Sequence, residues 1–381
     1  MMDRMNGLSV TVHPHIDDVA HRDWDALVQP EDLQTSRGFI RVCQDSGVAG
    51  AEYRHVIFRD ADGPVCIATL SRMNVAPDLL ARWTSRKLVA RVRRHRQDFL
   101  RIPVLFCGLP VSFGNSCLRF RPGFDGARLI PSLDDVVRRV AREVKARLIC
   151  YKEFTDEEAR PLEGLDRLGY FRAPSLPGCV LRMKWDSFET YVGAMRAGYR
   201  RQLRQDLRVR ASACVEVRVL PDYKAFARAI FALYERVMDR AEFQLERLNL
   251  EFFLHLICQL GHQTRAITIE RRGEILAAAI LLHTPRRLTF LLAGIDYSCH
   301  RVYRTYPNLI IEVIREAIRL GVERIELGQT SYDLKRRLGG EANPRHIYLK
   351  HRRPVSHRIF QGLSPILFPS RTYPARNVFR A

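Results

Sequence analysis

The run Gly328-Gln329-Thr330-Ser331-Tyr332-Asp333-Leu334-Lys335-Arg336-Arg337 packs amide, hydroxyl, carboxylate and cationic side chains into one short stretch. A lysine such as Lys335 can stabilise negative charge developing on a carbonyl oxygen. Asp296, earlier in the chain, is a carboxylate that can accept a proton directly or through water. Gln329, Ser331 and Tyr332 can orient a substrate. Arg196, Arg200, Arg204 and Arg208 stand four apart and form one row on a helix. That row is a cationic ridge able to grip phosphates, and Arg301 and Arg304 add cations in the connection 297–305. Each group also has a plainer reading: a solvated loop lysine, a turn carboxylate, ordinary loop residues, a solvated helix face.

These residues need elements to place them. Leu309, Ile310, Val313, Ile314, Ala317 and Ile318 form a helical stripe that Pro307 can open and Gly321 can close. Val322, Ile325 and Leu327 then alternate with charges, as in a short strand that runs out into Gly328. Polar side chains just past the carboxyl end of a strand are where open sheets build sites.

The same order of parts occurs earlier in the chain. A hairpin over 53–72 corresponds to one over 264–283, and a helix–strand unit over 132–154 to one over 307–330. This order predicts two similar mixed α/β domains with a junction near 184–190. The expected division is 1–184 with a basic insertion near 74–107, 185–351 as the catalytic domain, and a basic tail over 352–381. Within it the pattern predicts an edge strand over 8–12, helices over 17–28, 36–45 and 134–147 (the last capped at Ser132), and a closing strand pair over 169–183. One long Arg-rich helix is expected from Asp186 to about Arg210, and a last strand over 346–351. The tail is assigned no fold.

The 381 residues carry 62 Lys+Arg against 42 Asp+Glu, a formal net charge of +20. Such a field favours anionic partners: nucleic acid, a nucleotide cofactor or an anionic membrane face. Only seven of the basic residues are lysine, a bias that coding composition can produce, which weakens the inference from net charge alone. The basic stretch 82–101 interleaves Trp83, Leu88, Val89, Val92 and Phe99 with its cations, so it can lie on an anionic membrane, bind RNA or pack on its own domain. Nine cysteines without a CxxC pair read as buried free thiols in a reducing cytoplasm. The first residues lack a long apolar core, and no apolar run is long enough to span a bilayer. The expected location is cytoplasmic, with peripheral contact at the inner membrane face as an option.

The strand ending Gly294-Ile295-Asp296, the helix opening Tyr306-Pro307-Asn308, the Gly321 turn, the strand reaching Gly328, and Asp333-Leu334-Lys335-Arg336-Arg337-Leu338-Gly339 together resemble the second domain of Fem-type acyltransferases. Tyr199-Arg200-Arg201-Gln202-Leu203-Arg204 is similar as well. The family includes bacterial proteins labelled BioF2-like and built from tandem GNAT (Gcn5-related N-acetyltransferase) domains. The likeness covers roughly 185–350 by motif and 1–184 by element order. It implies an α/β fold of two tandem GNAT-like domains, each a mixed, mostly antiparallel sheet flanked by helices.

The resemblance implies an enzyme that moves an acyl or aminoacyl group onto an amine, in cell-wall or surface-polymer building. It places Lys335 at the lysine position implicated in transfer. The donor would be acyl-CoA or aminoacyl-tRNA, and the acceptor a small-molecule or lipid-linked amine. Such transfer needs a neutral amine, a polarised carbonyl and alignment of the two. One departure matters: the family binds the CoA pyrophosphate on a Gly-containing loop before the helix, whereas 297–305 has no Gly. That favours tRNA as donor, while the lack of a coiled-coil arm counts against it. A non-catalytic, acetyltransferase-like binding protein is the third reading. No Walker loop, G-x-S-x-G elbow or Rossmann glycine pattern is present, and no metal is expected.

Overall fold

The computed structural model describes residues 2–5, 7–75, 101–241, 245–370 and 373–380. The chain divides into two compact units. The first comprises Met1–Leu176, Phe243–Leu248 and Pro344–Arg371; the second comprises Pro177–Glu242, Asn249–Asn343 and Thr372–Ala381.

The first unit holds β1 (Met2–Met5), β2 (Leu8–His13), β3 (Glu52–Asp60), β4 (Gly63–Val75), β5 (Ile102–Cys107), β6 (Leu118–Phe120), β7 (Leu148–Phe154) and β8 (Phe171–Pro174). The second holds β9 (Gly178–Arg182), β10 (Glu216–Leu220), β11 (Thr264–Arg271), β12 (Glu274–His283), β13 (Arg287–Ile295), β14 (Arg324–Glu326) and β15 (Glu341–Asn343). The last strand, β16 (His346–His351), returns to the first sheet.

The first sheet runs β1-β2-β3-β4-β5-β7-β16-β8, with β6 beside β4, and the second runs β10-β11-β12-β13-β14-β9-β15. From β2 onward the two ladders match position for position. Each has a single parallel pair, β5 with β7 and β13 with β14, among antiparallel neighbours. The duplication read from element order is therefore visible in the pairing of each sheet.

The closing strands depart from expectation. The sequence between 169 and 183 was read as one strand pair, yet β8 joins the first sheet and β9 the second. Likewise β16, expected in the second domain, pairs with β7 and β8. The reason lies in the faces each strand serves. Cys179 and Leu181 of β9 pack in the core of the second unit. In β16, Tyr348 packs in one core of the first unit, while Ile347 and Leu349 pack in the core on the other side. Local spacing shows that these strands alternate but not which ladder needs them.

Other boundaries shift for identifiable reasons. The helix expected from Asp134 starts at Gly126, because Leu129, Ile130 and Leu133 extend the apolar stripe backwards and Asp125 caps it through the Ala127 N–H. The Arg-rich helix is two helices, Phe188–Ala194 and Ala197–Ser212. Between them Met195 is buried in extended conformation and bridges to Phe379. The Asp17–Val28 helix shortens to His21–Asp25 after a tight turn at Ile16–Asp18. The Arg37–Asp45 helix is capped by Ser36, as expected. Strand β2 is not an edge, since β1 pairs outside it. Strand β5, expected inside the basic insertion, is a paired core strand. Apart from Arg101, the basic stretch 82–101 lies outside the described residues. The tail, assigned no fold, forms the Pro354–Gly362 and Ser364–Leu367 helices of the first unit. Among the described residues no helix is long and apolar enough to cross a membrane.

Candidate active site

In the second unit β13 pairs with β14 in parallel only over Arg287–Thr289 against Arg324–Glu326. Beyond that point the two strands part. β13 continues along β12, while the chain after β14 turns toward β9, with the Leu327 N–H donating to the Cys179 carbonyl at 2.8 Å. On its β12 side β13 carries a bulge: Phe290 and Leu292 face Leu281 and Ile280, and Leu291 has no ladder partner there. Bulges beside a sheet opening re-aim side chains and leave a backbone group outside the ladder.

Lys335 sits at this opening. It was expected on a polar loop but belongs to the short helix Tyr332–Arg337, which starts after Ser331 in left-handed conformation (φ 55°). Its side chain is 1% exposed. Its Nζ donates to the Thr330 carbonyl at 2.6 Å and lies 5.5 Å from the centroid of the Phe290 ring. A Cβ placed on Gly328 would come within 3.9 Å of that Nζ and 3.7 Å of the Phe290 carbonyl oxygen. The ammonium thus lies where β13 and β14 separate. Burial without a carboxylate partner among the described residues lowers its pKa to about 8, an effect that Cys179 only partly opposes. The rest of the basic run is turned elsewhere: Arg336 stacks on Tyr373, and Arg337 pairs with Asp333 at 3.2 Å. The Tyr191 hydroxyl donates to the Leu338 carbonyl at 2.7 Å and anchors the end of this helix.

The other residues singled out from sequence fall into three groups. Gln329, Ser331 and Tyr332 lie on the same segment as Lys335. Tyr332 is buried and its hydroxyl donates to the Pro177 carbonyl at 2.5 Å, a positioning bond. Ser331 is hydrogen-bonded to the Tyr306 hydroxyl, whose pKa burial pushes up to about 12. Asp296, Arg301 and Arg304 lie on the connection after β13, so both groups follow the carboxyl ends of the parallel pair. Asp296 accepts from the Ser298 N–H at 2.9 Å and hydroxyl at 2.7 Å and pairs with Arg236 at 3.0 Å. The Ser298 bonds and Arg236 lower its pKa, which makes it a weak proton acceptor. Arg200 and Arg204, the third group, lie on the Ala197–Ser212 helix. There Arg200 bonds the Gly193 carbonyl at 3.2 Å and Arg204 is exposed, so among the described residues neither is brought to Lys335 by a hydrogen bond or ion pair.

The helix Thr305–Leu320 opens with features the sequence did not flag. Arg304 precedes it in left-handed conformation (φ 51°), without a side-chain cap. Among the described residues, the hydroxyl of Thr305 and the amide oxygen of Asn308 are buried without hydrogen-bond partners. The Asn308 amide donates to the Arg304 and Asp206 carbonyls at 2.9 and 3.1 Å. An uncapped helix start with an unused hydroxyl and the exposed Arg301 and Arg304 suits an anion. These residues fit a phosphate group even though the connection has no glycine. The only sequence signal was Asn308 falling within the apolar face of a helix.

A sheet that opens between two parallel strands, with a helix N-terminus past the first and a buried lysine past the second, can hold an anionic group and stabilise charge on a carbonyl oxygen. Residues 194–336 match the acetyltransferase (GNAT) domain family. The chain is 26% identical over 324 residues to the "Putative 8-amino-7-oxononanoate synthase 2" of Mycobacterium tuberculosis; the match covers 82% of this chain but 41% of that protein. The fold is similar to FemX (TM-score 0.56, 11% identity, 91% of this chain and 98% of that one). It is also similar to a tandem GNAT protein from the clavulanic acid biosynthesis pathway (TM-score 0.55, 11% identity, 91% and 99%). Residues 194–336 thus match a GNAT acetyltransferase domain, and the fold of the whole chain is similar to those of FemX and the tandem GNAT protein.

Proposed function

We propose that the second unit transfers an acyl group from an acyl-CoA thioester to an amine acceptor of cell-envelope or surface-polymer synthesis. The observation that carries this reading is the buried Lys335 ammonium at the opening between β13 and β14. The amine lone pair attacks the thioester carbonyl carbon, and Lys335 stabilises the oxyanion that forms. As the carbonyl returns, the C–S bond breaks; the thiolate leaves and takes up the proton lost by nitrogen. Arg301, Arg304 and the start of the Thr305–Leu320 helix would hold the donor phosphates. Asp296 contributes negative charge near the loop rather than proton transfer, since its pKa is lowered. Gln329 and Ser331 would orient substrate, and Tyr332 holds their segment in place.

The test is calorimetric titration with acetyl-CoA and a longer acyl-CoA at moderate salt. The expected result is saturable binding at one site per chain, weakened by Arg304→Glu. Loss of binding to both, with binding of charged tRNA retained, moves the assignment to an aminoacyl-tRNA donor. The outward row Arg200, Arg204 and Arg208 on the Ala197–Ser212 helix supports that second reading. Binding of neither donor points to the non-catalytic alternative.

A further inference from the structure

Among the described residues six large apolar side chains are exposed, and four of them lie together in the tail of the first unit. These are Val355, Ile359, Leu363 and Ile366, exposed by 71%, 59%, 44% and 72%. Their spacing of four, four and three residues places them on one side of a helix. Leu363 joins the helices Pro354–Gly362 and Ser364–Leu367 in right-handed backbone conformation (φ −84°, ψ −6°), so that side continues from one to the next.

The opposite side is already in use. Phe360 and Phe368 pack on the core that contains Phe171, Ile347 and Leu349. The Phe360 ring lies 5.4 Å from Phe171 and 6.0 Å from Phe368. His357 ties down the first turn, its Nδ1 accepting from the His351 N–H at 3.2 Å. One apolar side thus fixes the helices to the unit while a second apolar side faces outward. A contiguous exposed apolar stripe marks an interaction surface.

Charge identifies what the stripe meets. Arg353 precedes it and Arg358 lies beside it; both are exposed and form no ion pair among the described residues. No acidic residue occurs from Ala342 to Ala381. A second copy of the chain would bring the same net charge of +20, and the basic stretch 82–101 has the same sign, so both are repelled. The stripe runs for about 18 Å and is one helix face wide, well short of the roughly 800 Å² per partner of a stable protein interface. A lipid surface needs no matching shape. It accepts a short helix lying flat, with apolar side chains below the headgroups and arginines among the phosphates.

We propose that the helices Pro354–Gly362 and Ser364–Leu367 dock the first unit on an anionic lipid bilayer. Val355, Ile359, Leu363 and Ile366 enter the acyl region, and Arg353 and Arg358 pair with headgroup phosphates. The inference needs no chemistry at Lys335 and holds whichever donor the second unit uses.

The test is co-sedimentation of the full chain with vesicles of phosphatidylcholine alone, or of phosphatidylcholine and phosphatidylglycerol in roughly a 2:1 ratio. The net charge alone draws the chain to anionic vesicles, so the decisive variant removes apolar contact and leaves charge unchanged. Ile359→Ser with Ile366→Ser should weaken binding to the mixed vesicles at least about tenfold, with Tm unchanged because both side chains are exposed. Val219→Ser, at an exposed apolar site in the second unit, should bind as the parent does. Arg353→Gln with Arg358→Gln should weaken binding to the mixed vesicles about tenfold and reduce its dependence on salt. Undiminished binding of the double serine variant would place the lipid contact elsewhere, at 82–101 for instance, and overturn the proposal. So would a lack of binding to either vesicle. A dimer in solution that the double serine variant breaks, without vesicle binding, would assign the stripe to a second copy and overturn it as well.

Discussion

The Lys335 ammonium lies 5.5 Å from the centroid of the Phe290 ring, and in the first unit Lys152 stands at the same distance from Phe106. Phe290 and Phe106 belong to the corresponding strands β13 and β5, each the first member of the parallel pair of its sheet. Yet the two lysines differ in proton affinity. Burial lowers both, but for Lys152 the Glu153 and Glu246 carboxylates outweigh it and the pKa is raised. Among the described residues Lys335 has no such partner, and its pKa falls to about 8. One copy of the fold holds its lysine permanently charged, and the other keeps it near its titration point, where charge can answer to a bound substrate.

The first consequence concerns stability. A lysine whose folded pKa is about 8 against an ordinary 10.5 carries a full charge-burial penalty at pH 7. Between those values the unfolded chain holds more protons than the folded one, so stability rises with pH and the penalty is gone above 10.5. Lys335→Met should therefore stabilise the protein at pH 7 by up to ~3 kcal/mol, less ~1 kcal/mol for the lost bond to the Thr330 carbonyl. The gain should shrink toward zero at pH 10. Urea midpoints of both proteins at the two pH values check this, and a gap independent of pH would contradict it.

The second concerns turnover. If the charged form of Lys335 stabilises the oxyanion, kcat/KM should fall above pH 8. Lys335→Ala should lower kcat by roughly 10²–10³-fold. Lys335→Arg keeps its charge at all accessible pH, so whatever activity it retains should lose the alkaline fall. A pH–rate profile of the arginine variant with its alkaline limb intact would assign that limb to another group.

Asp296 should matter much less. Its carboxylate is committed to the Ser298 turn and to Arg236, and its pKa is lowered. Asp296→Asn can still accept the Ser298 bonds and should change kcat by less than about tenfold, without shifting the acid limb of the profile. Loss comparable to Lys335→Ala would make it a proton acceptor after all.

Donor binding gives a sharper test at Thr305. Its hydroxyl is buried without a partner among the described residues. Thr305→Val removes an unsatisfied donor, so the free protein should hold or slightly gain stability, by under about 1 kcal/mol. If the helix start receives phosphate, the same change should weaken acyl-CoA about five- to tenfold, an effect read by calorimetry. Equal donor affinity in both proteins would place the phosphates elsewhere.

What the sequence revealed follows from what is local. The stripe from Leu309 to Ile318, the hairpins and the Ser36 cap are set by near neighbours, and they stand where their spacing puts them. The segment carrying Lys335 stood out as a candidate site by its composition, but its burial did not, because that depends on Phe290 of β13 and on the Gly328 turn. The destinations of β9 and β16 were illegible for the same reason: alternation marks a strand, and only the completed ladder says which sheet it closes. The Lys-Glu pair inside Leu148–Phe154 was a readable anomaly, two charges in an otherwise apolar strand. Its meaning needed Glu246, which lies nearly a hundred residues later in the sequence.

The final prediction tests how tightly the opening is built. At Gly294 on β13 an added Cβ would sit 2.6 Å from the Leu233 Cβ and 2.8 Å from the Tyr234 backbone nitrogen. Those atoms belong to the helix Ala227–Arg240, and backbone cannot swing aside as a side-chain tip can. Gly294→Ala must therefore push the helix away or shift β13, at a cost of about 1–3 kcal/mol. The bulge at Leu291 and the Phe290 ring under Lys335 lie on the same strand, so a shift of β13 would move them too. The variant should lose several degrees in Tm and disproportionately more in kcat, because misplacing the reacting groups by about 1 Å can cost on the order of 100-fold. A drop in Tm with unchanged kcat would mean that the helix yields and β13 does not. A drop in both would show that the close helix–strand approach at Gly294 sets the geometry of the opening.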